Sequence, residues 1–110
     1  MRYEGYSLLM AVALMAVLPL QNTTAEEAPT PWQIKKCKIY REAWKDLPKL
    51  MDTTAFTQGF NDLNEAFIAS KCLGNTKICP TNEAEIKAAN LLTIASMNGG
   101  TASSFPPFRC

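Results

Sequence analysis

Histidine is absent from all 110 residues, which removes Ser-His-Asp and Cys-His nucleophile activation together with His-ligated zinc or haem. A large basic excess is missing too. Eleven Lys and Arg stand against ten Asp and Glu, a formal net charge of +1, and this excludes the global polyanion footprint of a small nucleic-acid binder. No Cys-x-x-Cys is present for redox catalysis, and no Gly-rich phosphate cradle, Walker motif or calcium loop. Ser70, Ser103 and Ser104 have no histidine partner. With this inventory neither enzymatic activity nor a cofactor is expected, and the length allows one small domain.

What is present begins with an export signal. The apolar run Ser7 to Leu20 follows Arg2 and precedes polar Gln21 to Thr24 and a small Ala25. It is shorter than the roughly 20 apolar residues that a spanning helix needs and carries Pro19 near its end, so it reads as a secretory signal peptide, residues 1–25. A cut after Thr23-Thr24-Ala25 leaves a mature domain of residues 26–110. It also removes the Asn22-Thr23-Thr24 sequon.

A mature chain of this size gains only marginal stability from one core. All four cysteines, Cys37, Cys72, Cys79 and Cys110, survive processing, and an even number in a short exported chain implies two disulfides. A four-thiolate zinc site would need paired Cys-x2-4-Cys knuckles, which these spacings lack. Of the three pairings, loop entropy gives about 3.8 and 3.7 kcal/mol for 37–72 with 79–110, against about 4.4 and 2.5 for 37–110 with 72–79. An antiparallel hairpin of the first two helices favours Cys37–Cys72 and Cys79–Cys110. The 37–79 with 72–110 pairing stays open.

Periodicity predicts an all-α domain: three helices and an extended proline-containing tail. The first helix starts near Thr30-Pro31, an N-cap followed by proline at the first helical position. Ile34, Cys37, Tyr40, Trp44 and Leu47 fall within an arc of roughly 140°, a core stripe. Lys35, Lys38, Arg41, Lys45 and Lys49 take the opposite face, and Pro48 is expected to end or kink the helix before Leu50. The second helix is expected to begin after Asp52, capped by Asp52, Thr53 or Thr54, with Phe56, Phe60, Leu63 and Phe67 in one stripe and Gly59 admitting another backbone. Its end is read at Cys72-Leu73-Gly74. The third opens with an Asn82/Glu85 capping box. Its run from Ile86 to Met97 is apolar nearly all round and predicts the most buried helix, stopped at Asn98-Gly99-Gly100.

Two surfaces are candidates for binding a partner. The basic face of Lys35, Lys38, Arg41 and Lys45 suits an acidic protein patch, with anionic lipid or cell-wall polymer as weaker options; otherwise it is a solvated helix face. Phe105, Pro106, Pro107 and Phe108 suit an extended recognition strip, the alternative being a tail packed over the third helix and pinned by Cys110. Trp32, Trp44, Phe56, Phe60 and Phe67 line either a ligand cavity or, more ordinarily, a core. Asp62 and Glu65 are read as surface residues rather than an acid/base pair.

The order of leader, Cys37, Cys72, adjacent Cys79 and Pro80 before the last helix, and terminal Phe105-Pro106 with Cys110 resembles periplasmic immunity proteins that neutralise type VI secretion amidases. The resemblance is confined to these positions, and Pro107-Phe108-Arg109 intrudes before the last cysteine. It implies a protein that occupies a partner's cleft and carries no catalytic residue. The expectation is therefore an exported, non-enzymatic module that binds another protein in the periplasm or extracellular space. The alternative is a small carrier of lipid or another hydrophobic ligand, or a membrane-surface-active protein.

Overall fold

The computed structural model describes residues 28–110; the expected signal peptide, residues 1–25, and its expected cleavage point lie outside the described residues. Three helices follow in order, α1 (Pro31–Leu50), α2 (Gln58–Ala69) and α3 (Glu83–Asn98). Both disulfides take the favoured pairing, Cys37–Cys72 with Cα atoms 5.4 Å apart and Cys79–Cys110 with 4.7 Å.

Local chemistry sets two helix starts as expected. Thr30 accepts a hydrogen bond from the Gln33 amide at 3.1 Å, and the Gln33 side chain accepts from the Thr30 amide at 2.8 Å, which completes a capping box ahead of Pro31. Asn82 caps α3 by accepting from the Glu85 amide at 2.8 Å. The Glu85 carboxylate does not return to Asn82, however, so that half of the predicted capping box is absent.

α2 begins later than predicted, at Gln58 with Thr57 as its N-cap. Asp52 instead accepts from the amide and hydroxyl of Thr54, a local turn that competes with helix. Phe56 therefore precedes α2. The helix buries Phe60, Asn64 and Phe67, while Leu63 stays 42% exposed. Nothing lies within 4 Å of a Cβ built on Gly59, so no backbone approaches there. The end of α2 also departs from its reading. The left-handed residues are Lys71 (φ 62°) and Cys72 (φ 58°), with amides bonded to the carbonyls of Ile68 and Phe67. This double closure is a Schellman motif, and α3 ends in the same way with Gly100 (φ 101°) in the corresponding place.

α1 runs antiparallel to both partners. Along it Cys37 meets Cys72, Tyr40 meets Asn64 and Phe67, and Trp44 meets Phe56 and Phe60. On its other side Ile39 lies against Gly99 and Trp32 against Gly100. Pro48 does not stop α1 at once: the helix runs two residues further, to Leu50, and Met51 closes it by donating to Leu47 at 2.9 Å. Ile34 leaves the predicted core stripe and is 57% exposed, as the buried line narrows to Cys37, Tyr40 and Leu47.

The core is centred on Tyr40, whose ring meets Phe67 edge-on at 5.0 Å and Phe105 at 6.3 Å. Its hydroxyl donates to Asn64, and Asn64 in turn donates to the Phe60 carbonyl. Burial pushes the Tyr40 phenol above its ordinary pKa. The tail runs back to Cys79 as predicted but covers different surface. Phe108 stacks on Phe60 at 6.1 Å and Phe105 meets Phe67 at 5.9 Å, so the tail wedges against α1 and α2 instead of covering α3. Aromatic partners offer those rings more buried area than aliphatic ones. α3 is consequently less buried than predicted. Its face of Ala88, Ala89 and Leu92 is covered, while Ile86, Ile94 and Met97 remain about half exposed.

Candidate functional site

The charged row of α1 lies on the solvent side of the helix. Lys35, Lys38, Arg41 and Lys45 are all exposed. At 100° per residue Lys38, Arg41 and Lys45, with Ile34, fall within about 60° of one another, whereas Lys35 shares the neighbouring arc with Glu42 and Asp46. Asp46 pairs with Lys49 at 3.3 Å, the single ion pair among the described residues. The row thus presents three cations in line, about one helical turn between neighbours.

Beside Lys45 lies a cleft of about 310 Å³ between α1 and the start of α2. Trp44, Pro48 and Phe56 supply its apolar wall and Asn61 and Glu65 its polar one. Trp44 and Phe56 stack at 6.1 Å with 17° between their planes, and the Trp44 indole donates to Glu65 at 2.7 Å. That bond gives Glu65 a role in fixing the ring. Asp62, by contrast, is exposed without such a partner, and the two acids do not form a pair.

The tail is not available as a strip in this arrangement. Pro106 and Pro107 are buried, and Phe105 and Phe108 are half-buried against the core. A parallel bridge between Ile78 and Phe108 fixes the register, with the Ile78 amide donating to Pro107 at 2.9 Å and the Arg109 amide donating to Ile78 at 3.0 Å. Phe56, Phe60 and Phe67 likewise meet other rings, so the aromatic set chiefly fills a core, with Trp44 and Phe56 also bordering the cleft beside Lys45. Trp32 stands apart, 43% exposed at the start of α1.

One polar cluster escaped the sequence reading. Glu85 is fully buried, and its carboxylate accepts four hydrogen bonds of 2.8–3.0 Å, from amide and hydroxyl of Thr57 and from amide and hydroxyl of Thr81. Desolvation pushes its pKa up, and the four donors together outweigh that and hold it below the ordinary glutamate value. With every lone pair engaged, the carboxylate is structural. It ties the cap of α2 to the entry of α3. The signal for this was the Thr-Asn-x-x-Glu run from Thr81, which reads equally as an ordinary cap.

Among the described residues no cluster of His, Cys, Asp or Glu could hold a metal ion, and no helix is long and apolar enough to cross a membrane. Compared with protein-family models, curated proteins and solved structures, the chain matches none.

Proposed function

We propose that the protein is an exported, non-enzymatic module that binds another protein through the α1 row of Lys38, Arg41 and Lys45 and the cleft beside it. The observation that carries this reading is the unpaired cationic line next to a stacked Trp44–Phe56 wall. Tryptophan and arginine are among the residue types that concentrate binding energy at interfaces, and Trp44 and Arg41 supply one of each here, with the flanking lysines adding charge for steering. The other candidate surface, Phe105 to Phe108, is taken up by the core. Two intramolecular disulfides accord with an oxidising compartment; release into the periplasm or the exterior is part of the proposal.

A photo-crosslinking residue placed at position 41 or 45 tests it in the exported fraction of the native host. A discrete protein adduct should form there and not from position 87 on α3. The adduct should disappear when the companion cation is reversed, Lys45→Glu for a crosslinker at 41 and Arg41→Glu for one at 45. Equal labelling from all three positions, or adducts that survive reversal, would contradict the use of this row.

A further inference from the structure

The near-zero net charge of the chain conceals a segregation that only the fold reveals. At the end where α1 begins, Lys35, Lys36, Lys38 and Arg41 lie on α1 itself. Lys71 joins them through the Cys37–Cys72 bridge, and Lys77 and Arg109 line a cleft with Phe67 and Phe105 at the same end. The Arg109 guanidinium is held in place by donating to the carbonyls of Ser104 and Pro106. The acids of the described residues begin at Glu42, directly after Arg41, and continue with Asp46 and Asp52, then Asp62 and Glu65 on α2, then Glu83 and the buried Glu85; seven acids there outnumber three bases, Lys45, Lys49 and Lys87. Even with Glu26 and Glu27 of the upstream sequence assigned to the basic end, its bases exceed its acids by five.

The separation is large enough to matter. α1 is about 30 Å long at 1.5 Å per residue, against a Debye length of about 8 Å at physiological salt. A surface that meets the start of α1 at Lys35 and Lys36 is screened from Asp46 and Asp52 at its far end, and Glu42 is the one acid that stands near the boundary.

Apolar side chains are mixed into the same end. Trp32, Ile34, Ile94 and Met97 are each between 43% and 57% exposed, and Gly100 beside Trp32 brings the end of α3 to the start of α1. The ammonium groups of Lys35 and Lys36 both stand 5.9 Å from the Trp32 ring. Ile34 and Trp32 project from different sides of α1, so they do not form one pocket that would suit a protein anchor. A fluid bilayer accepts scattered apolar tips, holds tryptophan at its headgroup level and lets lysines reach past the apolar layer to water.

We propose that the end of the bundle built around Trp32, Lys35 and Lys36 docks on the surface of an anionic bilayer, which leaves the α1–α2 cleft facing sideways to a partner. This does not depend on the protein-binding reading, since Lys35, Lys36 and Lys77 lie outside the row of Lys38, Arg41 and Lys45.

The protein has two tryptophans, so a Trp44→Phe variant recovered from the exported fraction leaves Trp32 as the reporter. Titration with phosphatidylglycerol-containing vesicles should shift Trp32 emission to the blue, saturably and reversibly by salt, while pure phosphatidylcholine vesicles should not. Lys35→Glu with Lys77→Glu should weaken that binding by at least about tenfold with an unchanged circular dichroism spectrum; Lys45→Glu with Lys49→Glu should change it little. Any retained leader contributes alike to both vesicle types. No shift on anionic vesicles, the same shift on phosphatidylcholine, or equal loss from the two charge reversals would overturn the proposal. A Trp32 response to soluble poly-glutamate without one to vesicles would assign the surface to an acidic protein and also overturn it.

Discussion

Glu85 shows how far a single buried side chain can bind two elements together. Its four donors come from Thr57 and Thr81, residues that the sequence sets well apart. Glu85→Gln keeps the shape but replaces one acceptor oxygen with a donor that faces other donors. A loss of about 2–4 kcal/mol in unfolding free energy is expected by urea denaturation. Because the folded pKa lies below the unfolded one, the stabilisation is complete above the unfolded value and is lost as pH falls through the folded one. Stability should therefore hold down to about pH 5 and decline below it, and the decline should be shallower in Glu85→Gln. Asp52, held low by the amide and hydroxyl of Thr54, titrates in the same sense. Tyr40 is the reverse case: its phenol is raised by burial, so its contribution is intact below about pH 10 and is lost above it. Lys71 offers a change in the stabilising direction. It occupies at φ 62° the position that Gly100 fills at the end of α3. Lys71→Gly should raise the unfolding free energy measured by urea denaturation by about 0.5–1 kcal/mol, the relief of left-handed strain exceeding the added chain entropy.

Close packing of α1 and α3 depends on an absent side chain. A Cβ on Gly99 would stand 2.6 Å from the Ile39 Cδ1 and 3.2 Å from its Cγ2, while the backbone there is ordinary at φ −83°. Gly99→Ala should cost about 1–2 kcal/mol through this overlap, and Ile39→Val in the same chain should restore part of it by removing Cδ1. Additive costs in the double-mutant cycle would show that the contact is not the cause. Such contacts explain which elements were legible. The caps of α1 and α3 could be read because Thr30 and Asn82 bond to amides three residues away. The start of α2 could not, because Thr57 was selected over Asp52, Thr53 and Thr54 with the help of Glu85, 28 residues distant. Helical periodicity likewise found Cys37, Tyr40 and Leu47, but it carried no information on how wide the covered stripe would be, and Ile34, Leu63 and Met97 lie beyond its edges. For the candidate site, the basic row was visible in the spacing of α1, whereas the Trp44–Phe56 wall required the turn that places Phe56 ahead of α2.

On the scale of the whole molecule the two disulfides are unequal in exposure. Cys37 and Cys72 are buried, whereas Cys79 and Cys110 are exposed. A graded thiol titration with mass analysis after alkylation should label Cys79 and Cys110 first. Replacing both of them with serine should cost about 2–5 kcal/mol and open the segment from Ser104 to Cys110 to limited proteolysis; resistance equal to the parent would show that the bridge at Ile78 and Phe108 suffices. The charge segregation belongs to this scale as well, since a sequence tally adds both ends together and returns almost nothing.

Tyr40 draws its neighbours from α2 and from the tail, and the tail rings belong to residues 105 and 108. Both rings follow α3 in the chain, so the three helices alone do not complete the surroundings of Tyr40. The tail is thereby a part of the core and not an appendage to it, and the Cys79–Cys110 bridge holds that part in place from outside the aromatic cluster.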